Sequence, residues 1–526
     1  MKIYEGRIVT CDERGTVSKY LIEEGGKIAF VGDALPAEYA AALKERLGEK
    51  ALLPAFGDTH IHFMSYAFAK AGLDLTAAKT IAETQASIAD FVRERAPANV
   101  IGLGASVYGV AERRLLARAD IDAVCSNKPV FIAKYDGHAG IANSALISKV
   151  AGKLGKLRGF DARSGLMTQE AFFRVTDVLT GTISLPATLG NMLVGIDALA
   201  GYGVGLVHSV TGIGFPADMD VTLESVFARG LANPLAYRIF FQTMDVGKAL
   251  KRRLPRIGGC FAAALDGCFG CTDAALLAPY EPAADLPPEA ARGVLYYSDD
   301  QVGAFCREAN RRGLQIEMHA IGDAAFDQAV RALADALKDF PREDHRHTII
   351  HACLPTARGL ETCARLGIRI ALQPAFLHWE QEPLEYIESI MGARAFGISP
   401  LRTMTDLGIE LSGGSDAPCT APDPIQGIWA ACNHYVPGES LTIQEALNLY
   451  TRNAARGSFD EKERGSLEAG KLADMIILNR DPLSLRPEDL HSLKVEALLL
   501  QGKPYAPGQK RASLLLRGLS HGGTKI

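Results

Sequence analysis

Eight short, β-rich apolar runs recur along this chain with helix-like stretches between most of them, and few architectures accommodate that alternation. The runs are ALLPAF (51–56), GVGLVHSV (203–210), YRIFFQT (237–243), GGCFAAAL (258–265), LQIEMHA (314–320), HTIIHA (347–352), IRIALQP (368–374) and IELSGG (409–414). Among the intervening stretches, SDDQVGAFCREANRRG ends on a capping glycine, Gly313, and AAFDQAVRALADALKDF carries an apolar stripe at helical spacing. Eight strands with helices between them predict an α/β fold of the TIM type, a (β/α)8 barrel.

One interval breaks the rhythm. Residues 65–202 are far too long for a βα loop and contain their own strand-like runs, NVIGLGAS and PVFIAKYDGH, with apolar helical segments. This stretch reads as an insertion lying over the C-terminal face of the barrel, where active sites of this fold sit. The chain ends have another texture. KIYEGRIVT and VSKYLIEEGGKIAFVG alternate like a small antiparallel sheet with a hairpin signal at Gly25-Gly26, and ADMIILNRDPL and VEALLLQGKPY repeat the pattern.

Composition excludes several classes. With 56 Lys and Arg against 61 Asp and Glu there is no basic footprint, so nucleic acid is not expected as a partner. No uninterrupted apolar stretch reaches the length of a membrane span, and the first residues, MKIYEGRIVTCDERG, do not read as a targeting segment. Ten cysteines without a secretory context read as reduced thiols, so a cytoplasmic location is expected. A homodimer is only the general expectation.

Chemistry collects at the strand ends. LLPAFGDTHIHFM (52–64) closes the first run with His60 and His62, with Gly57 and Asp58 read as the turn that presents them. Residues two apart on a strand share a side, so both imidazoles can reach one ion. His319 ends the fifth run, His351 the sixth, and GGSDAP puts Asp416 at the tip of the eighth. Four histidines and a carboxylate on one rim suit Zn²⁺, Fe²⁺ or Mn²⁺. Asp416 is placed to take a proton from metal-activated water. The bland alternatives are that His319 and His351 are satisfied core residues and that Asp416 starts a turn before Pro418.

At these residues the chain resembles the amidohydrolase superfamily and, within it, amidohydrolase family 3, the branch that includes N-substituted formamide deformylases. LLPAFGDTHIH, YDGHAGIANSAL (135–146), MHAIGDAAFDQAV, LSGGSDAP and GSLEAGKLADMIIL (465–478) carry the resemblance. It implies a composite β-sandwich from residues 1–52 and 462–510, beside a barrel over 53–461 that holds 65–202 as the inserted subdomain. It also implies His60, His62, His319 and His351 as metal ligands and Asp416 as ligand and base. His138 would reach the substrate from the insertion, and Asn143 would hold that loop, although cap and turn chemistry explains Asn143 and Asp136 as well.

The fourth strand departs from the family. Where a lysine usually stands four residues before Asp266-Gly267, this chain has Ala262. Thr272 and Ile350 also stand where the family often has Arg and Glu. Without the bridging lysine, one ion per chain is expected, zinc foremost. Cys260, Glu170 and His208 are candidates for a substitute ligand, against the commoner fate of a buried cysteine as a small apolar residue. The Cys268-x-x-Cys271 pair lacks a partner pair for a separate zinc site. Cleavage of an amide or cyclic amide C–N bond is the leading expectation. A mononuclear aminohydrolase acting on an amidine-like carbon and a degenerate binding protein are the alternatives. The substrate is expected to be a small molecule, with His378 and Trp379 in FLHWEQEPLEY (376–386) near the rim to touch it.

Overall fold

The computed structural model describes residues 1–282, 285–520 and 525–526. Its centre is a sheet of eight strands, here β1 (Phe56–Ile61), β2 (Val204–Thr211), β3 (Ala236–Phe241), β4 (Arg256–Ala264), β5 (Gln315–Ala320), β6 (Thr348–His351), β7 (Arg369–Leu372) and β8 (Leu411–Gly413). They run in chain order and every neighbouring pair is parallel. Every residue of β1, β2, β3 and β5 is buried, as expected of strands covered on both faces.

The sheet is joined end to end by a seam just beyond β8. Asp416 N donates to His60 O at 2.8 Å and His62 N to Ala417 O at 2.9 Å. Asp58 reinforces it by accepting from Ser415 N at 3.0 Å and Ser415 Oγ at 2.5 Å. Asp58 is therefore not turn material; it lies within β1 and stitches β1 to the segment after β8. Gly414 is required here by space: a Cβ on it would stand 2.6 Å from His60 N.

The run ALLPAF divides between two sheets. Its first four residues end the strand Glu45–Pro54, and β1 begins only at Phe56. Ala55 is the pivot, donating to Asp474 O, while Phe56 donates to Gly203 O. Glu45–Pro54 belongs to a seven-stranded sheet built from both chain ends. There it pairs on one side with Lys2–Val9 and on the other with Met475–Leu478.

Residues between β1 and β2 form a third sheet of five strands, including Val100–Ala105, Val130–Lys134 and Ala139–Ala142. Asn143 caps the helix Ser144–Leu154, accepting from Leu146 N. It also accepts from Val130 N and donates to the carbonyls of Cys125 and Lys128, so it does hold this loop together. The helix Gln169–Thr180 turns Phe172 and Phe173 toward the barrel mouth. Among the described residues, no single helix is long and apolar enough to cross a membrane.

Candidate metal centre

Each side chain of the centre stands at the C-terminal end of a barrel strand. His60 is the fifth residue of β1 and His62 the first beyond it; the Nε2 atoms of both lie 3.2 Å from Asp416 Oδ1. His351 ends β6, and its Nδ1 is held by Gln373 Oε1 at 2.5 Å, which turns Nε2 inward. His319, on β5, is anchored through Nε2 to Gly267 O at 3.0 Å and leaves Nδ1 facing the centre. Asp266, 3.4 Å from His319 Nε2, is itself fixed by the backbone N–H groups of Ile321, Gly322 and Ala275. Such outer partners orient imidazoles that bind metals. His351 and Asp416 have φ of 69° and 56° in the left-handed region, a strain that clusters at functional sites.

Between these groups lies Cys260. Its Sγ is 3.2 Å from His319 Nδ1 and 3.8 Å from His351 Nε2. The cause is a bulge at the tip of β4. Pairing with β5 jumps from Gly259↔Met318 to Ala264↔His319, so the residues between arch out and Cys260 turns inward. Ala262 sits on this arch, where its carbonyl accepts from Tyr297 Oη at 2.9 Å. Counting back four residues from Asp266 therefore finds the wrong position. The missing lysine is real, but the side chain that β4 offers to the centre is the Cys260 thiol, not a methyl.

The donors fall into two sets, His60, His62 and Asp416, and His60, Cys260 and His351, each with its ligand atoms within 4.8 Å of one another. Burial pushes the Cys260 thiol up, but the charge and hydrogen bonding of His319, with His351 and His60, hold it well below the ordinary thiol range. Burial likewise opposes ionisation of Asp416, and His60 and His62 outweigh it. For His60, burial works against the imidazolium, but Asp416 and Cys260 raise it to about 10. A buried carboxylate and thiolate thus draw positive charge into this space. Both ring nitrogens of His60 and Oδ1 of Asp416 are fully buried without hydrogen-bond partners. Orphaned imidazole nitrogen and carboxylate oxygen, with the Cys260 thiolate beside them, fit a divalent transition metal.

Other expected site residues scatter. His138 lines the cavity above the centre, edge-on to Phe261 at 5.4 Å, and Trp379 lines the same cavity. Glu170 is no ligand: it is paired with Arg158 at 2.9 Å on the surface of the insertion, because it sits on the outer side of its helix. His208 is not a ligand either. It is buried within β2 close to the strand starts, where burial and Arg256 hold its imidazole well below ordinary values. His378 is exposed and turned away, bonded to Asn433 O at 2.7 Å. Cys268 and Cys271 lie against Asp136, but Lys134 Nζ already stands 2.6 Å from that carboxylate. Sequence reading missed Gln373, Phe261 and Glu382. A polar Gln373 directly after the apolar RIAL of β7 was the visible signal; nothing marked the other two.

These features define a candidate metal centre at the mouth of a TIM-type barrel. Residues 47–506 match the family model described as "Amidohydrolase family", and the chain belongs to this family. It is 26% identical to the putative amidohydrolase YtcJ of Bacillus subtilis (strain 168), over 95% of this chain and 98% of that protein. It is 25% identical to the N-substituted formamide deformylase of Arthrobacter pascens, over 95% and 97%. Among solved structures, an uncharacterized metal-dependent hydrolase from Pyrococcus furiosus matches 92% of this chain and 100% of that one, with a TM-score of 0.72 at 25% identity.

Proposed function

We propose that this protein is a metal-dependent hydrolase of a carbon–nitrogen bond in an amide. The observation that carries the reading is the seam cluster, where His60, His62 and Asp416 converge and the donor atoms of His60 and Asp416 Oδ1 are fully buried without hydrogen-bond partners. His60, His62 and Asp416 would hold a divalent ion, zinc foremost, with Cys260 and His351 as the second set of donors and His319 Nδ1 beside them. A metal bound there would supply Lewis acidity and lower the pKa of water toward neutrality.

Asp416 is the group that moves the proton. Its carboxylate stays ionised in spite of burial, and it is held at the seam by its own backbone bond to His60 O. It accepts a proton from the attacking water and returns it to the leaving nitrogen. Gln373 and Gly267 O fix the rings of His351 and His319, so neither imidazole swings when substrate enters. His138, which lines the cavity from the insertion, would contact the substrate beside Phe261.

Metal analysis of protein purified without chelator tests the reading. A stoichiometric transition metal, and hydrolysis within a panel of N-acyl, formyl and cyclic amides, are expected. Absence of any such metal would overturn it.

A further inference from the structure

Two cavities meet at this centre. The first, about 820 Å³ with its opening to solvent, contains Cys260, His319, His351 and Asp416 and is walled by Phe376 and Trp379, whose rings stack at 4.8 Å. The second, about 940 Å³, is walled by Phe68, Phe172, Phe173 and Phe215 from the insertion and the loop after β2. His62, Asp136, Phe261 and Cys419 line both. The Phe261 ring stands at their junction, 4.8 Å from His62 and 5.4 Å from both His138 and Phe173.

Charge in this space is one-sided. Among the described lining residues of either cavity there is no lysine or arginine. Asp136 is neutralised by Lys134 behind it, and Glu382 is turned to Tyr135 Oη at 3.1 Å. Away from the metal seat, a substrate carboxylate would find no lysine or arginine in the walls to pair with, and its desolvation there would go uncompensated. An apolar group would find an aromatic wall on either side of the ligand cluster.

Resting on the hydrolase reading above, we infer that the substrate is a neutral secondary amide bearing an apolar group on each side of the C–N bond, one in each cavity. A formamide, with only hydrogen on its acyl carbon, would leave one cavity unfilled. The substrate class thus differs from that named for the Arthrobacter pascens relative.

The test compares three amides on the metal-loaded protein: N-benzylformamide, N-methyl-2-phenylacetamide and N-benzyl-2-phenylacetamide. Each apolar group should add to transition-state binding through the area it buries. The two-sided compound is expected to exceed either one-sided one by at least about tenfold in kcat/KM. N-phenylacetylphenylglycine, its carboxylate analogue, should fall at least about tenfold below it. N-benzylformamide turned over as well as the two-sided amide, or preference for the carboxylate, would overturn the inference.

Binding without turnover separates this from the hydrolase reading. Only two tryptophans are present, Trp379 in the first cavity and Trp429 outside it, beside His378. In the Trp429→Phe variant, quenching of Trp379 by the ketone isostere of the two-sided amide should saturate, and Thr176→Phe, which narrows the second cavity, should weaken it about tenfold. Binding with this pattern but no hydrolysis of any amide would overturn the hydrolase reading and keep the shape of the ligand. Quenching insensitive to Thr176→Phe, in a protein of unchanged circular dichroism, would overturn the two-cavity inference.

Discussion

At the scale of single residues, Asp416 and Cys260 make separable predictions. Asp416→Asn keeps the size of the side chain but removes the base. It should lower kcat by about 10²–10⁴ while the near-ultraviolet spectrum stays unchanged; retained turnover would remove Asp416 from its role. Cys260→Ala should lower the zinc content measured by mass spectrometry, and Cys363→Ala, buried behind the barrel, should not. A wild-type zinc content in Cys260→Ala would make Cys260 a packing residue. Protons compete with the ion. With His60 raised to about 10, metal binding must displace protons, so apparent affinity should rise with pH, and calorimetry in buffers of different ionisation enthalpy should show proton release. The histidines and Asp416 were legible because each closes an apolar run. Cys260 was ambiguous because its orientation depends on a bulge, and the extra residues of a bulge break the strand's alternation and shift which side chain faces inward.

At the scale of elements, the seam beyond β8 is a second place to test. Gly414→Ala would drive a methyl into His60 N and should destabilise the fold by on the order of 1–3 kcal/mol, read from denaturant unfolding. Behind β2 and β3, Glu224 is fully buried and receives Tyr237 Oη at 2.8 Å. Burial raises its carboxyl from 4.5 to about 8. The folded state therefore holds a proton that the unfolded chain has lost, and this group's contribution to stability is present below pH 4.5 and is lost as pH rises through 8. Glu224→Gln should be nearly neutral at pH 5 and stabilising at pH 9, and equal melting temperatures for variant and wild type at pH 9 would count against it. All eight barrel strands were legible from apolar runs. The boundary at Pro54–Phe56 was not, because two strands of different sheets share one continuous apolar stretch and only the pivot at Ala55 divides them.

For the whole molecule, the insertion is where sequence reading ran shortest. Its position over the mouth followed from the long gap between two strand runs. Its contribution of an aromatic second cavity did not, because Phe172 and Phe173 look like any apolar stripe on a helix until the helix is docked. Removal of metal should act globally. The proposed donors come from β1, β4, β6 and the segment after β8, so a chelator should lower the melting temperature, and zinc should restore it.

The seam has a consequence for the order of events in synthesis. It joins Asp58 to Ser415, positions 357 apart along the chain. His60 and His62 leave the ribosome early, yet the carboxylate that completes their set arrives only after seven further barrel strands. Nascent chains arrested before residue 411 should accordingly retain no zinc at this seat, and arrest well past residue 460 should allow it. Loading of an ion at this seat would thus be a checkpoint on completed assembly of the barrel rather than a nucleus for it.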